Sequence, residues 1–273
     1  MPTPTEPTLG NISTRGDVET GDNVLIGGFI ISGSESKNVL VRAIGPSLTN
    51  FGVAGALANP TLELHHPDAM GNDQILATND NWMEASNKQA IIDSTLAPAN
   101  DLESAILMDN LDPGSYTAIV RGANNTTGIG LVEAYDLQAA SASTLGNIST
   151  RGLVGTNDKV MIGGIIVVGG GSQEVLVRAI GPSLTGFGVA GALADPVIEL
   201  HDPQGALIET NDNWKFKSDG SSQQAEIEAT GLPPTNDAES AILATLNPGA
   251  YTAILTGKNN TTGVALVEAY QLD

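Results

Sequence analysis

The residues best suited to chemistry are oxygen donors clustered in two loops. Asn79-Asp80-Asn81 and Asn211-Asp212-Asn213 each place three short polar side chains in a row. Asp101 with Glu103, and Asp237 with Glu239, recur downstream of them at matching positions. Calcium takes six to eight hard oxygens from carboxylates, amides and backbone carbonyls of a loop, so these ten residues are the metal candidates and Ca2+ the candidate cofactor. The competing reading is Asx-turn chemistry, in which Asn and Asp hydrogen-bond their own backbone. The alternating acidic pattern of an EF-hand is absent.

Trp82 and Trp214 directly follow these loops. A Trp beside a polar loop either stacks on a sugar ring or caps a hydrophobic core with its N–H on a carbonyl. Arg42 and Arg178 lie inside apolar runs, and burial there requires a carboxylate partner. Glu63 and Glu199, or Glu133 and Glu268, are available on other predicted strands as the structural ion pair. The three histidines are His65, His66 and His201, and only His65 and His201 correspond between the two halves. A G-x-S-x-G elbow, an H-E-x-x-H pair and a phosphate-cradling glycine loop are all missing. The expectation is a protein that is not an enzyme. Asn11-Ile12-Ser13, Asn124-Asn125-Thr126 and their counterparts match the glycosylation sequon, and read as Asn/Thr-rich turns.

The elements that must position these residues are written twice. Leu9-Gly10-Asn11-Ile12-Ser13-Thr14-Arg15-Gly16 returns unchanged as Leu145 to Gly152. Val39 to Thr49 returns as Val175 to Thr185 at the same interval. Asn79 to Trp82 returns as Asn211 to Trp214 at a shorter interval, so the first copy carries four extra residues around His66 to Gln74. Both flanks match while the spacing changes, as at a hairpin tip. The period is too long for a solenoid unit and suits a whole domain. The expected layout is an extended Pro/Thr-rich arm at 1–8, a repeat at 9–137, a linker at 138–144 and a second repeat at 145–273.

Strand signals dominate each copy. Val24 to Ile31 is apolar with glycines inside, Asn38 to Ile44 is apolar and stopped by Gly45-Pro46, and Thr61 to His65 alternates. Glu103 to Leu111, Tyr116 to Arg121 and Ile129 to Leu137 follow, the last two joined by an Asn/Gly tip. Helix signals are weak and confined to Glu84–Leu96 and Gln223–Thr230. About eight short strands per copy predict an all-β protein, two tandem β-sandwich domains with jelly-roll or Greek-key winding. A unit of roughly 130 residues buries about two thirds of its unfolded surface, so each copy is expected to fold around its own interior.

Composition narrows the partners. Lys plus Arg total 11 against 31 Asp plus Glu, a formal charge of −20. Phosphate binding needs clustered cations, so nucleic acid and anionic membrane are poor partners, and no nucleic-acid partner is expected. Such a surface attracts cations and resists precipitation by self-repulsion. There is no cysteine, which rules out disulfides and thiolate metal sites. No stretch approaches the ~20 apolar residues of a membrane span, and the first eight residues lack the basic and apolar regions of a secretion signal.

In the second copy Ile198-Glu199-Leu200-His201-Asp202-Pro203-Gln204-Gly205 leads to Thr210-Asn211-Asp212-Asn213-Trp214. Leu246-Asn247-Pro248-Gly249-Ala250-Tyr251-Thr252 follows. This order of turn, loop and strand resembles the bacterial pre-peptidase C-terminal type of β-sandwich, over about half of each copy. The whole copy is similar to tandem repeat modules of uncharacterised bacterial secreted and surface proteins. The resemblance implies an extracellular or cell-surface location and an accessory role that involves calcium, glycan or matrix.

Three functions compete. The first is a structural subunit that self-associates or joins other surface proteins head to tail, through the arm and exposed sheet edges, into a filament or surface layer. The second is a calcium-dependent adhesion module binding glycan or matrix, with two sites for avidity. The third is a calcium-stabilised spacer. The near-identity of the copies and the extended arm favour the first.

Overall fold

The computed structural model describes residues 6–138 and 141–272. Residues 1–5 of the expected arm, and 139 and 140 of the expected linker, lie outside the described residues. The fold is all-β, with eight strands from each copy. The first copy supplies β1 (Thr8–Val18), β2 (Leu25–Ser32), β3 (Lys37–Ile44), β4 (Pro60–Pro67) and β5 (Asp73–Asn79). A short helix, α1 (Lys88–Asp93), leads to β6 (Ser104–Leu111), β7 (Gly114–Gly122) and β8 (Gly128–Asp136). The second copy repeats the series. It runs through β9 (Thr144–Val154), β10 (Met161–Val168), β11 (Gln173–Ile180), β12 (Pro196–His201), β13 (Leu207–Asn211), α2 (Gln224–Ala229), β14 (Ser240–Leu246), β15 (Gly249–Gly257) and β16 (Gly263–Gln271).

Alternation decides which face each strand buries. In β7 every second residue from Tyr116 to Gly122 is buried, and β15 repeats the pattern from Tyr251 to Gly257. This is the period-two signature of a sheet with one face against a core. Strand β6 is one residue longer than β14, and the difference coincides with Asn110 at φ 58° and a register shift against β3.

Within the first copy the strands pair antiparallel, in the orders β1-β8-β3-β6 and β2-β7-β4-β5, with one isolated parallel bridge from Ala56 to Ile129. The second copy pairs as β9-β16-β11-β14 and β10-β15-β12-β13. The copies do not stop there. Strand β1 also pairs with β10, from Thr8↔Val168 to Arg15↔Ile162, and β2 pairs with β9, from Ile26↔Arg151 to Ser32↔Thr144. Two eight-strand rows result, each drawn from both copies, β13-β12-β15-β10-β1-β8-β3-β6 and β5-β4-β7-β2-β9-β16-β11-β14, and the β1–β9 pair Asp17↔Leu153 joins them into one sixteen-stranded sheet.

These exchanges correct the expectation that each half folds around its own interior. One apolar cluster contains Leu25, Val41, Leu62 and Ala134 of the first copy with Met161, Val177, Leu200 and Val267 of the second. The physical reason lies in β1 and β9. Each is paired along both edges, so neither copy closes without the other. Their buried side chains include Asn11, Thr14 and Asp17, and Asn147 and Thr150, which is why neither strand stands out as an apolar run.

The copies meet around a local two-fold axis. Thr14 and Thr150, 136 residues apart and both fully buried, share a hydroxyl–hydroxyl hydrogen bond of 2.8 Å. Gly28 lies where a Cβ would come within 2.8 Å of Ser149 Oγ, and Gly164 faces Ser13 Oγ in the equivalent way. At both places a Cβ would meet the serine hydroxyl of the facing strand, while the facing backbone oxygens lie 3.6 and 3.7 Å away.

Candidate functional site

The most developed polar constellation joins the β3 exit, the β5 exit and the β6 entry. Glu103 is fully buried. Its Oε1 accepts the Gly45 N–H at 3.1 Å, the Ser47 N–H at 2.9 Å and the Ser47 hydroxyl, and its Oε2 accepts the Asn100 N–H at 3.2 Å. In the second copy Glu239 accepts the N–H groups of Gly181 at 3.2 Å, Ser183 at 2.9 Å and Asn236 at 3.2 Å. Ser183 Oγ turns instead to Thr235 Oγ1, 2.7 Å away. A carboxylate that accepts several backbone N–H groups is satisfied without a cation. Gly45 and Gly181 admit the latch because a Cβ there would collide with the carbonyl of Leu57 or Leu193. The latched turns, Pro46–Phe51 and Pro182–Phe187, end on Phe51 and Phe187, both strongly exposed.

Asn79 and Asn211 serve the same junction. Asn79 Oδ1 accepts the Ala105 N–H at 2.9 Å, and Asn211 Oδ1 accepts the Ala241 N–H at 3.0 Å. Their amide groups donate to Asn81 O and Phe216 O. Each loop does lie beside its Glu: Trp82 N–H donates to Glu103 O at 2.9 Å, and Trp214 N–H to Glu239 O at 2.8 Å. The carboxylates, however, point away toward Gly45 and Gly181. Asp80, Asp101 and Asn213 are exposed, and Asn81 is half-buried. Asp237 meets Lys215 Nζ at 2.5 Å. Asp212 pairs with Lys258 Nζ at 2.6 Å, which also reaches Asp195 at 3.4 Å. Burial, then the neighbouring Asp212 charge, raises the Asp195 pKa, while hydrogen bonding to Asp212 raises that of Lys258. Among the described residues, no group of three His, Asp or Glu side chains is placed to hold a metal ion.

Both tryptophans cap small apolar clusters on the outer side of the β3/β6 and β11/β14 strands. Trp82 packs with Leu40, Ile91, Ala105 and Leu107, and its Nε1–H donates to Asn100 O at 3.1 Å. Trp214 packs with Leu176, Ile227 and Ala241 under Lys215. They are 7% and 4% exposed, so neither offers the open ring face that a sugar needs. Their apolar neighbours Ile91 and Ile227 come from α1, which occupies the centre of the predicted helical stretch 84–96, and from α2, which fills all but the two end residues of 223–230.

Of the two candidate partners for each arginine, both of which are part-buried, the fold selects Glu133 and Glu268. Arg42 donates to Glu133 Oε2 through Nε at 3.0 Å and Nη2 at 2.5 Å, to Leu96 O at 2.6 Å and to Tyr135 Oη at 3.0 Å. Tyr135 donates in turn to Glu133 Oε1 at 2.7 Å. Arg178 repeats the arrangement, donating to Glu268 Oε2 at 3.0 Å from Nε, to Leu232 O at 2.6 Å and to Tyr270 Oη at 3.1 Å. Tyr270 likewise donates to Glu268 Oε1 at 2.7 Å. Burial first, then the adjacent glutamate charge, pushes the pKa of Tyr135 and of Tyr270 up to about 12. Glu63 and Glu199 are not the arginine partners. Glu63 sits 3.7 Å from Arg121 and 3.4 Å from His65, and Glu199 lies 3.1 Å from His201. The reason is register: Arg42 stands directly across β8 from Glu133, and Arg178 across β16 from Glu268.

The histidines are tied into hairpins. His65 Nδ1 lies 2.8 Å from Asp73, and His66 stacks on Tyr116 with ring centres 4.6 Å apart. Of the sequon asparagines, Asn11 and Asn147 are buried on β1 and β9 rather than in turns. Asn124 and Asn259 do occupy turns, at φ 56° and 55°.

What sequence reasoning passed over are the terminal strands β5 and β13. Each is hydrogen-bonded on one side only, β5 to β4 and β13 to β12. Each presents two consecutive apolar residues to solvent at equivalent positions. Ile75 and Leu76 are 59% and 39% exposed, and Leu207 and Ile208 are 54% and 44% exposed. The signal was available in the sequence as an apolar pair at the same place in each copy, beside the variable hairpin tip.

No family model and no curated protein matches the chain. Among solved structures, the chain is similar to a DUF4785 family protein from Legionella pneumophila subsp. pneumophila at 10% identity. The match covers 100% of this chain and 81% of that one, with a TM-score of 0.26, a likeness that carries no argument about fold or function.

Proposed function

We propose that this chain is a non-enzymatic structural subunit of the bacterial cell exterior, which assembles with further copies of itself through the outer edges of β5 and β13. In this reading the chain is two jelly-roll sandwiches fused edge to edge into one rigid body. The carrying observation is the matched pair of exposed apolar edges. An edge strand is a template for another chain, and proteins that stay single blunt it with charge, proline or a bulge. Here β5 and β13 each carry a register shift, at Leu76 and at Ile208, yet both still hold Ile75-Leu76 and Leu207-Ile208 in solvent. Two such edges on one body, at the far ends of two rows, allow each subunit to take two neighbours, and a contact that does not close on itself extends into a filament.

The reading moves the contact away from the N-terminal arm. The segment Leu9 to Ser13 is paired with β10 and, from Asn11, with β8 in the same chain, so from Asn11 onward neither edge is left for a neighbour. Calcium and glycan do not enter this proposal. The surface charge of −20 opposes association, so assembly rises with ionic strength as the repulsion is screened.

The test is electron microscopy and sedimentation of the purified chain across concentration and salt. The parent chain should form ordered assemblies, and Ile75→Lys with Leu207→Lys should leave single particles. Monodisperse parent chains throughout, or assemblies that persist unchanged in the variant, would overturn the reading.

A further inference from the structure

The surface that joins the two copies has the properties of a dimer interface enclosed in one chain. We infer that it is an exchangeable docking surface, through which the first copy of one chain binds the second copy of another, and that Asp17 and Lys159 restrict it to this first-with-second pairing. The inference concerns a different surface from the β5 and β13 edges and does not depend on them.

Geometry supports exchange. A two-fold interface uses the same patch on both partners, so that residue i meets its own equivalent. Thr14 meets Thr150, Ser13 faces Gly164 as Ser149 faces Gly28, and β1 pairs with β10 as β9 pairs with β2. Nothing in these contacts distinguishes a second copy on the same chain from one on a neighbour.

Charge decides which copies pair. Near the axis Asp17 stands opposite Leu153, its own equivalent. Asp17 is 1% exposed, and its Oδ2 lies 2.8 Å from Lys159 Nζ, with Glu19 Oε1 3.7 Å from the same ammonium. The counterparts of Asp17, Glu19 and Lys159 are Leu153, Gly155 and Asn23. The acids therefore sit on one copy and the cation on the other. A first-with-first pairing would set Asp17 against Asp17 at a buried position with Asn23 in place of the lysine. Two facing carboxylates without a cation are strongly disfavoured.

The chain has no cysteine, so single thiols at the axis report pairing directly. Thr14→Cys chains and Thr150→Cys chains are unfolded together, refolded at high concentration and oxidised, all in the Ile75→Lys/Leu207→Lys background that silences the edges. A Thr14→Cys/Thr150→Cys chain serves as the geometric control. The expected results are an intrachain bond in the control and a disulfide-linked dimer of doubled mass in the mixture. Thr14→Cys alone should give roughly tenfold to a hundredfold less dimer, from the lost partner of a half-exposed ion pair. Adding Asp17→Leu to Thr14→Cys should restore it. A closed control with no linked dimer in the mixture overturns exchange. An open control overturns the axis itself. Thr14→Cys dimerising as well as the mixture overturns the assignment to Asp17 and Lys159.

Discussion

Replacing Glu103 by alanine removes the acceptor for a set of buried donors. Three are backbone N–H groups, from Gly45, Ser47 and Asn100, and the fourth is the Ser47 hydroxyl. A buried donor left without a partner costs about 1–3 kcal/mol. The three N–H groups set the scale at about 3–9 kcal/mol, and the hydroxyl, which can rotate toward another acceptor, adds only the net worth of one hydrogen bond, about 1 kcal/mol. Glu239→Ala is the internal comparison, since Glu239 accepts the same three backbone N–H groups but not the Ser183 hydroxyl. It should cost about 1 kcal/mol less, the worth of one hydrogen bond. Urea denaturation followed by tryptophan fluorescence reads both, because Trp82 and Trp214 are buried beside the two latches. The shared core predicts one transition that reports from both tryptophans together. A loss below about 1 kcal/mol for Glu103→Ala, or a larger loss for Glu239→Ala, would refute the latch. Stabilisation by calcium in the parent chain that vanishes in Glu103→Ala would return this carboxylate to a metal site.

Two further expectations concern the arginine clusters. Arg42→Met should cost about 3 kcal/mol or more by leaving Glu133 buried without its cation, and Arg42→Met with Glu133→Leu should recover most of that, as read by the same urea midpoint. The raised Tyr135 and Tyr270 pKa values imply that the fold holds these phenols neutral where an unfolded chain ionises them. Their contribution to stability is then intact below about pH 10 and is lost as pH rises from there through about 12. A spectrophotometric titration in which all four tyrosines ionise together near pH 10 with the fold intact would refute this.

Much of the local structure was legible in the residues. The apolar and alternating runs became β2, β3, β4, β6, β7 and β8, with Gly45-Pro46 ending one strand and the Asn124-Asn125 turn joining two others. The arginines announced a buried ion pair because a cation inside an apolar strand needs a carboxylate. Choosing Glu133 over Glu63 needed the register of β3 on β8, which is a relation between segments far apart along the chain. The Asn79 and Glu103 loops lie side by side in the fold, but their side-chain directions decide their role, and those turn toward Ala105 and Gly45.

By itself the sequence determined that one strand-forming unit is present twice, that its strands carry an apolar face, and that its charge is strongly negative, because repetition, alternation and charge belong to the residues in order. Only the tertiary structure decided that the two copies share a core. That outcome rests on β1 and β9, whose buried Thr14 and Thr150 carry no apolar signature and whose partners are chosen by backbone edges meeting across a two-fold axis. Hydrogen bonds between backbones look alike for every residue type, so the identity of a strand's neighbour is settled by packing in three dimensions.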